Sequence, residues 1–451
     1  MVSVLKQIFT AGIFIAIVMI VLELILSKVK KKRVYTLADT LTNLSSGIIE
    51  RTFDVFCAIG FFFIFNYIYQ EIAPWKIPSP FENPSVIMGA LTWFGALLVT
   101  DFLAYWHHRL SHEINFLWAA HVVHHQSEEL NVTTVFRVSF FAVLNRAAFF
   151  VWMPLMGFDP ITITSTTMFL GIYQFFTHFR FIDKVGIFEK FMTTPSHHRV
   201  HHSRNEKYLD TNYAHIFIFW DKLLGTFKEE EEEPDYGITS GFESSNAFKA
   251  QFDYWENMFK RAARTKGLKN KINIFIKGPD YTPEDTPHLP PVYKTDEKGE
   301  RIQYRNLMSV EKSIYTFLSV LTSFVLFFLL SRIIIEKPEG SVSIEDAYAF
   351  LENAYAYIFQ PHILLLVALI LYSVFAQGMF MDNKKGSGLL EAIRLIATMI
   401  IVPVVVNQTD KLDRIASTLS SGIIAFSAVM LIWMLILKWK ESKSKLTIAN
   451  S

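Results

Sequence analysis

Long apolar runs are the feature that most constrains how this chain folds. A bilayer core of about 30 Å is crossed by roughly 20 apolar residues in a helix, and runs of that length recur along the 451 residues. The sequence predicts nine spans, near residues 7–27, 48–69, 85–106, 137–156, 160–177, 312–335, 358–381, 389–406 and 419–438. The expected fold is therefore all-α, a polytopic transmembrane helical bundle.

Composition supports this fold class, since 51% of the residues are hydrophobic and 15% are aromatic. The first run is too long for a signal peptide and is followed at once by the basic stretch KVKKKR, so we interpret it as a retained helix. Runs 137–156 and 160–177 are separated only by GFDP. They form either two crossings or a hairpin that enters the bilayer without crossing it.

Basic residues at the ends of the spans predict the orientation, because Lys and Arg favour the cytoplasmic side. The stretches SKVKKKR, MDNKKGSG and KWKESKSK all fall on one side when nine spans alternate. The histidine-bearing loops 107–136 and 178–311 then lie on the cytoplasmic face. We expect an integral, multi-pass protein of a bacterial inner membrane or the endoplasmic reticulum.

The chain divides into four expected parts by composition. These are N-terminal transmembrane helices (1–84), a histidine-rich core (85–227), a cytoplasmic connector rich in Pro, Gly and charge (228–311), and C-terminal transmembrane helices (312–451). The connector begins near five consecutive glutamates, Glu229 to Glu233. We interpret this glutamate run as a solvated stretch without a catalytic role.

Charge and cysteine content exclude several classes of function. The formal net charge of +1 gives no electrostatic basis for a nucleic-acid partner. The single cysteine, Cys57, lies in an apolar run and permits neither a disulfide framework nor a thiolate metal cage. Any bound metal must therefore have nitrogen or oxygen ligands.

Histidines are concentrated in one region, since 12 of the 14 lie between His107 and His215. Helical spacing of three or four residues places side chains on one face. One HxxxH and two HxxHH patterns supply eight imidazoles at that spacing, too many for a single four-coordinate ion. We therefore predict two metal ions held by His108, His112, His121, His124, His125, His198, His201 and His202.

Other polar residues near these motifs have more than one interpretation. His178 follows an apolar run and is either a ninth ligand or an interfacial histidine. Glu113 is a ligand, an acceptor that fixes an imidazole, or a solvated charge. Asp101 lies two turns before His108, where an intramembrane carboxylate requires a partner or a function. We interpret the remaining histidines as hydrogen-bonded or neighbouring residues without a ligand role, namely His107, His197, His215, His288 and His362.

An all-imidazole donor set suits iron, zinc or copper, and the spacing does not choose between them. Aromatic spans beside the predicted site indicate a substrate with a long apolar part. Two irons would activate O₂ against a C–H bond, whereas two zincs would activate water for hydrolysis. A metal transporter is the least favoured alternative, because its ligands are expected near mid-bilayer.

Four stretches carry a family resemblance: DFLAYWHHRLSHE, LWAAHVVHHQSEELNVTT, TPSHHRVHHSRN and DTNYAHIFIFWDKLLGTF. Together they resemble the fatty acid hydroxylase/sterol desaturase superfamily of membrane non-haem di-iron enzymes, and are most similar to its alkylglycerol monooxygenase branch. The resemblance spans about residues 100–227. That branch is expected to have a small residue and a Phe where this chain has His215 and Leu224, a difference that bears on the substrate.

The resemblance implies that the eight histidines bind two Fe²⁺ ions and that Glu113 is the catalytic candidate. It also implies insertion of oxygen from O₂ at the ether α-carbon of an alkylglycerol, which releases a fatty aldehyde. Electrons would come from a reduced pterin such as tetrahydrobiopterin or from an electron-donor protein. A sterol or fatty acyl desaturase or hydroxylase on the same centre is the first alternative, and a zinc-dependent membrane hydrolase is the second.

Overall fold

The computed structural model describes residues 2–284, 291–299, 301–334, 355, 357–409 and 414–449. His288 and residues 336–350, which lie between the predicted spans 312–335 and 358–381, are outside the described residues. The described chain is almost entirely helical, which confirms the all-α prediction. Its α-helices are α1 (Val2–Val29), α2 (Leu37–Tyr67), α3 (Val86–Glu113), α4 (Asn115–His125), α5 (Phe141–Phe150), α6 (Trp152–Leu155), α7 (Pro160–Thr177), α8 (Pro195–His201), α9 (Phe219–Leu224), α10 (Ala247–Arg264), α11 (Leu268–Ile276), α12 (Val310–Ile334), α13 (Pro361–Met381), α14 (Ser387–Asn407) and α15 (Arg414–Ala449).

Short segments connect these helices. A π-turn (Ile68–Ile72) follows α2, and 3₁₀ turns occur at Val132–Phe136, Gly186–Lys190 and Glu206–Tyr208. The two-residue strands β1 (Lys294–Thr295) and β2 (Arg301–Ile302) pair antiparallel in the connector.

Six helical segments within the described residues are long and apolar enough to cross a membrane. They are Thr10–Val29, Val86–Glu113, Val310–Ile334, Pro361–Met381, Ser387–Asn407 and Ser420–Lys440. Each overlaps one of the nine predicted spans. The protein is therefore a multi-pass membrane protein.

The other three predicted spans differ from expectation in length or composition. Span 48–69 covers most of α2 and enters the following π-turn, and charges such as Glu50 and Arg51 interrupt its apolar run. Span 137–156 is divided between α5 and α6, where Pro154 has no N–H to donate to the carbonyl four residues before it. Span 160–177 is α7, an 18-residue helix rich in Thr.

The described chain separates into two compact units. The described residues of the first fall within 1–43, 57–243 and 251–304, and those of the second fall within 44–56, 244–250 and 305–451. In the first unit, α3, α5, α6 and α7 share a core that includes Leu103, Phe150, Met153 and Ile163. This core supports the end of α3, from which the first histidine motif projects.

In the second unit, a buried ion pair lies among apolar helices. Glu391 and Arg394 on α14 are 0% exposed, and Nη2 of Arg394 lies 2.8 Å from Oε1 of Glu391. The Tyr315 hydroxyl on α12 donates to the same oxygen at 2.6 Å, and the Ser319 hydroxyl donates to it at 3.0 Å. Because each charge has a partner, the pair joins α12 to α14 without an uncompensated charge.

Breaking this pair should destabilise the protein. Glu391→Gln leaves the Arg394 charge buried without its counter-ion, and we expect the free energy of unfolding to fall by about 3–5 kcal/mol. Thermal unfolding in detergent measures the change. The matched control is Glu311→Gln, which breaks an exposed pair with Lys440 and should change the midpoint little. Equal midpoints for the two variants would contradict the stabilising role.

Candidate metal centre

Four chain segments carry the clustered histidines. The last two turns of α3 carry His108 and His112, four residues apart on one face. Helix α4 follows after one residue and carries His121, His124 and His125. The short link keeps the two helix ends together, so that five imidazoles come from 18 consecutive residues.

The other two segments are the end of α7 and the short helix α8. His178 is the C-cap of α7, and its backbone N–H donates to the Gln174 carbonyl at 3.1 Å. Helix α8 begins after the Thr194 N-cap with Pro195 in its first turn, where a missing N–H costs nothing. It carries the third histidine motif, including the C-cap His202.

The structure brings nine histidines into two groups, each with one nitrogen per residue and all such nitrogens within 4.8 Å of one another. Site A consists of His108, His112, His121, His125 and His201. Site B consists of His124, His178, His198 and His202. All eight histidines of the predicted set and His178 are therefore close together, and their role as ligands stays a prediction.

Backbone carbonyls fix the outer nitrogens of several rings. Nδ1 of His108 lies 2.7 Å from the Tyr213 carbonyl, and Nδ1 of His201 lies 2.9 Å from the Thr211 carbonyl. In site B, Nδ1 of His178 lies 2.8 Å from the Gln174 carbonyl. A carbonyl only accepts, so each Nδ1 carries the proton and each Nε2 is left with a lone pair.

These lone pairs converge without a proton between them. Nε2 of His178 lies 3.3 Å from Nε2 of His124, whose Nδ1 faces the Arg137 carbonyl at 3.2 Å. Two neutral rings anchored in this way have no hydrogen to share, and facing lone pairs repel. A cation at about 2.0–2.1 Å from each nitrogen removes the repulsion, because such ligands lie about 3.0–3.4 Å apart. The arrangement therefore fits a bound metal ion.

Unsatisfied nitrogens support the same interpretation in site A. Nε2 of His112 and Nε2 of His201 are buried and have no hydrogen-bond partner among the described residues. Buried polar atoms are almost always hydrogen-bonded, so a pair without partners in one group requires an explanation. Coordination to a metal ion supplies it.

Burial also sets the protonation state. Desolvation lowers the pKa of His124 to about 4, and it lowers the pKa values of His198 and His201 well below the ordinary value. These rings are therefore neutral near pH 7, the form that binds a metal.

Two buried carboxylates hold the loop that supplies the Tyr213 carbonyl. Asp101 is 0% exposed and accepts from the backbone N–H groups of Ile216 and Phe217 at 2.9 and 3.0 Å. Asp221 accepts from the N–H groups of Tyr213 and the next residue at 2.8 and 2.9 Å, and burial raises its pKa to about 6. The intramembrane Asp101 thus has hydrogen-bond partners.

Two further residues, Arg137 and Asp210, support the metal centre, and little in the sequence indicates either role. Arg137 is 2% exposed, and its Nε donates to the Val123 carbonyl at 3.0 Å while its Nη1 lies 3.1 Å from Asp39. The only indication of this role in the sequence is that Arg137 stands at the start of an apolar run. Asp210 lies 3.4 Å from Nδ1 of His112, and its φ of 57° places it in the left-handed region that Asp tolerates.

Several predicted or neighbouring residues lie outside both groups. The Glu113 side chain is 44% exposed and pairs with Nε of Arg109 at 2.8 Å. His107 packs against Phe149 with ring centroids 5.2 Å apart. Nδ1 of His197 accepts from the Thr194 N–H at 3.3 Å. His362, in the second unit, lies beside Tyr357.

His215 differs from its expected hydrogen-bonded environment. Its ring centroid lies 5.0 Å from that of His108, and its Nδ1 is buried without a hydrogen-bond partner in the part of the chain that the structure describes. It is therefore a further imidazole beside site A, although it belongs to neither group. No helical spacing in the sequence connects His215 with the other histidines.

Comparison with known proteins agrees with this geometry. The fatty acid hydroxylase family matches residues 93–226, which contain every histidine of sites A and B. The alkylglycerol monooxygenase of Homo sapiens is 30% identical over 422 residues, covering 92% of this chain and 86% of that protein. This chain belongs to the alkylglycerol monooxygenase family. The resemblance inferred from the four sequence stretches is thereby confirmed.

Other relatives extend the comparison. The alkylglycerol monooxygenase of Xenopus tropicalis is 30% identical over 84% of this chain and 78% of its own length. An ornithine lipid hydroxylase of Rhizobium tropici is 33% identical over 32% of this chain and 44% of its own length. No solved structure matches the chain.

Removing one imidazole should distinguish metal binding at site A from metal binding at site B. His201→Ala deletes a nitrogen of site A and leaves the four histidines of site B in place, so we expect metal content to fall to about half. Elemental analysis of the purified protein measures this. The control is His197→Asn, whose side-chain oxygen can still accept from the Thr194 N–H and whose metal content should match the wild type. Unchanged metal in His201→Ala would contradict its assignment as a ligand.

Proposed function

We propose that this lipid monooxygenase holds two iron ions, one at site A and one at site B, and hydroxylates the ether α-carbon of an alkylglycerol. One atom of O₂ enters the C–H bond, and the other leaves as water after two electrons and two protons are supplied. The resulting hemiacetal collapses to a fatty aldehyde and a glycerol derivative. The observation that carries the proposal is the pair of convergent imidazole groups in a chain of the alkylglycerol monooxygenase family.

The chain's own residues prepare the centre. Carbonyls fix the outer nitrogens of several rings, and burial shelters the inner nitrogens from water and keeps the rings of His124, His198 and His201 neutral. Iron bound there would supply the activation of O₂ that an unactivated C–H bond requires. A reduced pterin such as tetrahydrobiopterin, or an electron-donor protein, is the proposed source of electrons.

We place the site at the cytoplasmic face, and a contact in the first unit supports this. Nζ of Lys32, in the basic run after α1, lies 2.7 Å from Glu233. The same carboxylate lies 2.6 Å from Arg180, two residues after His178. The basic run therefore lies at the histidine-bearing end of the unit, and positive charge favours the cytoplasm.

A second candidate is hydroxylation of another membrane lipid at the same centre. The similarity to an ornithine lipid hydroxylase favours it. Ether cleavage releases an aldehyde, whereas hydroxylation elsewhere leaves a heavier, intact lipid. Product analysis therefore distinguishes the two candidates.

Turnover tests the proposal directly. Protein purified anaerobically and loaded with Fe²⁺ should convert an alkylglycerol to a fatty aldehyde when O₂ and a reduced pterin are supplied. With ¹⁸O₂ and immediate borohydride reduction, the trapped fatty alcohol should carry ¹⁸O. A monoacylglycerol of equal chain length, which lacks the ether α-carbon, is the control.

Three outcomes would contradict this assignment. An intact hydroxylated lipid would support the second candidate. Product formation without O₂ by the zinc-loaded protein would support a hydrolase. No O₂ consumption with any alkylglycerol, fatty acyl or sterol substrate would overturn the monooxygenase proposal.

Glu113 is proposed to handle protons rather than to bind metal, because it lies outside both sites. Glu113→Gln should lower kcat by about 10²-fold or more, the usual effect of losing a general acid or base, while metal content stays unchanged. The matched control is Glu256→Gln, which removes an exposed glutamate from another (i, i+4) pair. Wild-type kcat in Glu113→Gln would contradict a proton-handling role.

A further inference from the structure

We propose that Glu230 is a positioning residue that, through Arg199, fixes the orientation of α8 and so aligns ligands of both metal sites. The proposal rests on the metal centre described above and assigns a role to part of the glutamate run, which is expected from its sequence to be solvated.

One member of the glutamate run differs from its neighbours. The Glu230 side chain is 17% exposed. The other four are 51–65% exposed and each pairs with a lysine at the surface, and Glu233 also contacts the buried Arg180. Surface pairs of that kind contribute little. Glu230 alone in the run turns inward, and its partner is in α8.

The contact between Glu230 and Arg199 is bidentate and buried. Nε of Arg199 lies 2.8 Å from Oε1, and Nη2 lies 2.6 Å from Oε2. The remaining Nη1 donates to the Ile182 carbonyl at 2.6 Å. The Arg199 side chain is 5% exposed. Its guanidinium is therefore held on both sides, in a geometry that a planar fork permits and a Lys ammonium does not.

Arg199 lies between the ligands in sequence, directly after His198 and two residues before His201. His198 and His202 belong to site B, whereas His201 belongs to site A. Helix α8 has only seven residues, too few to be stable without tertiary contacts. A rotation of this helix would displace ligands of both sites at once, so the contact that prevents it acts on both.

The Glu230 carboxylate, which accepts from Arg199, is held in place by contacts of the neighbouring residues. The Tyr208 hydroxyl accepts from the backbone N–H groups of Glu231 and Glu232, each at 2.7 Å. The Lys228 N–H donates to Asn212 at 2.8 Å, and Asn212 in turn donates to the His197 carbonyl of α8 at 3.1 Å. The backbone on both sides of Glu230 is therefore anchored, and its carboxylate meets Arg199 at a fixed position.

The test compares Glu230→Gln with Glu231→Gln, its immediate neighbour in the same run. Each full-length apoprotein is titrated with Co²⁺, whose absorption spectrum reports ligand geometry without turnover. We expect Glu230→Gln to bind Co²⁺ about 10–100-fold more weakly, the usual effect of losing an outer support of a metal site, with an altered spectrum. Glu231→Gln should match the wild type.

Arg199→Lys separates geometry from charge and provides a second variant should Glu230→Gln not fold. It keeps the positive charge but loses the bidentate contact, so we expect the weaker binding and altered spectrum of Glu230→Gln. Iron-loaded variants should show a lower kcat with an unchanged KM for the lipid, because α8 positions metal ligands rather than substrate.

The outcomes distinguish this proposal from the function on which it rests. Wild-type affinity and spectrum in both Glu230→Gln and Arg199→Lys would overturn the positioning role while leaving the metal centre intact. Equal weakening in Glu231→Gln would overturn it too, because the effect would then belong to the net charge of the run. Failure of the wild type to bind Co²⁺ would overturn both proposals.

Discussion

The repulsion between converging imidazole lone pairs is the constraint on which this structure depends. Nε2 atoms that lie about 3 Å apart cannot stay together as neutral acceptors unless a cation or a proton lies between them. The carbonyl contacts of the opposite nitrogens exclude the proton in the clearest case, that of His124 and His178. A metal ion resolves the conflict, and the surrounding helices are arranged to hold the rings until one binds.

The imidazole rings are held by direct contacts, and these contacts are held in turn by others farther from the metal sites. Backbone carbonyls fix the imidazoles, and buried carboxylates such as Asp101 fix the loop that presents one of those carbonyls. The proposed contact between Glu230 and Arg199 adds a support on the outer side of α8. Such outer contacts keep ligand geometry intact in a site that must also admit a lipid chain.

Sequence spacing was sufficient to predict that His108 and His112 belong together, because helical periodicity determines which side chains share a face. It was not sufficient to assign His121 and His124 to different sites, since that depends on the positions of α3 and α8 around α4. The carbonyl partners of His108 and His201 could not be predicted at all, because a backbone acceptor has no residue type. The inward turn of Glu230 was missed for a related reason: five identical side chains give no pattern from which to choose one.

The membrane spans likewise include features that local sequence predicts and features that depend on tertiary packing. Strongly apolar runs such as 361–381 were predicted well from hydropathy. Segment 137–156 was not predicted well, because Pro154 divides it into two short helices. The buried pair of Glu391 and Arg394 was also not predicted, since its stability depends on hydroxyl groups contributed by another helix.

X-ray absorption spectroscopy of the anaerobically purified protein, combined with metal quantitation, tests the central claim most directly. The account predicts two metal ions per chain, each with a nitrogen-dominated first shell at about 2.0–2.2 Å. A single ion per chain, or a shell dominated by oxygen, would contradict it.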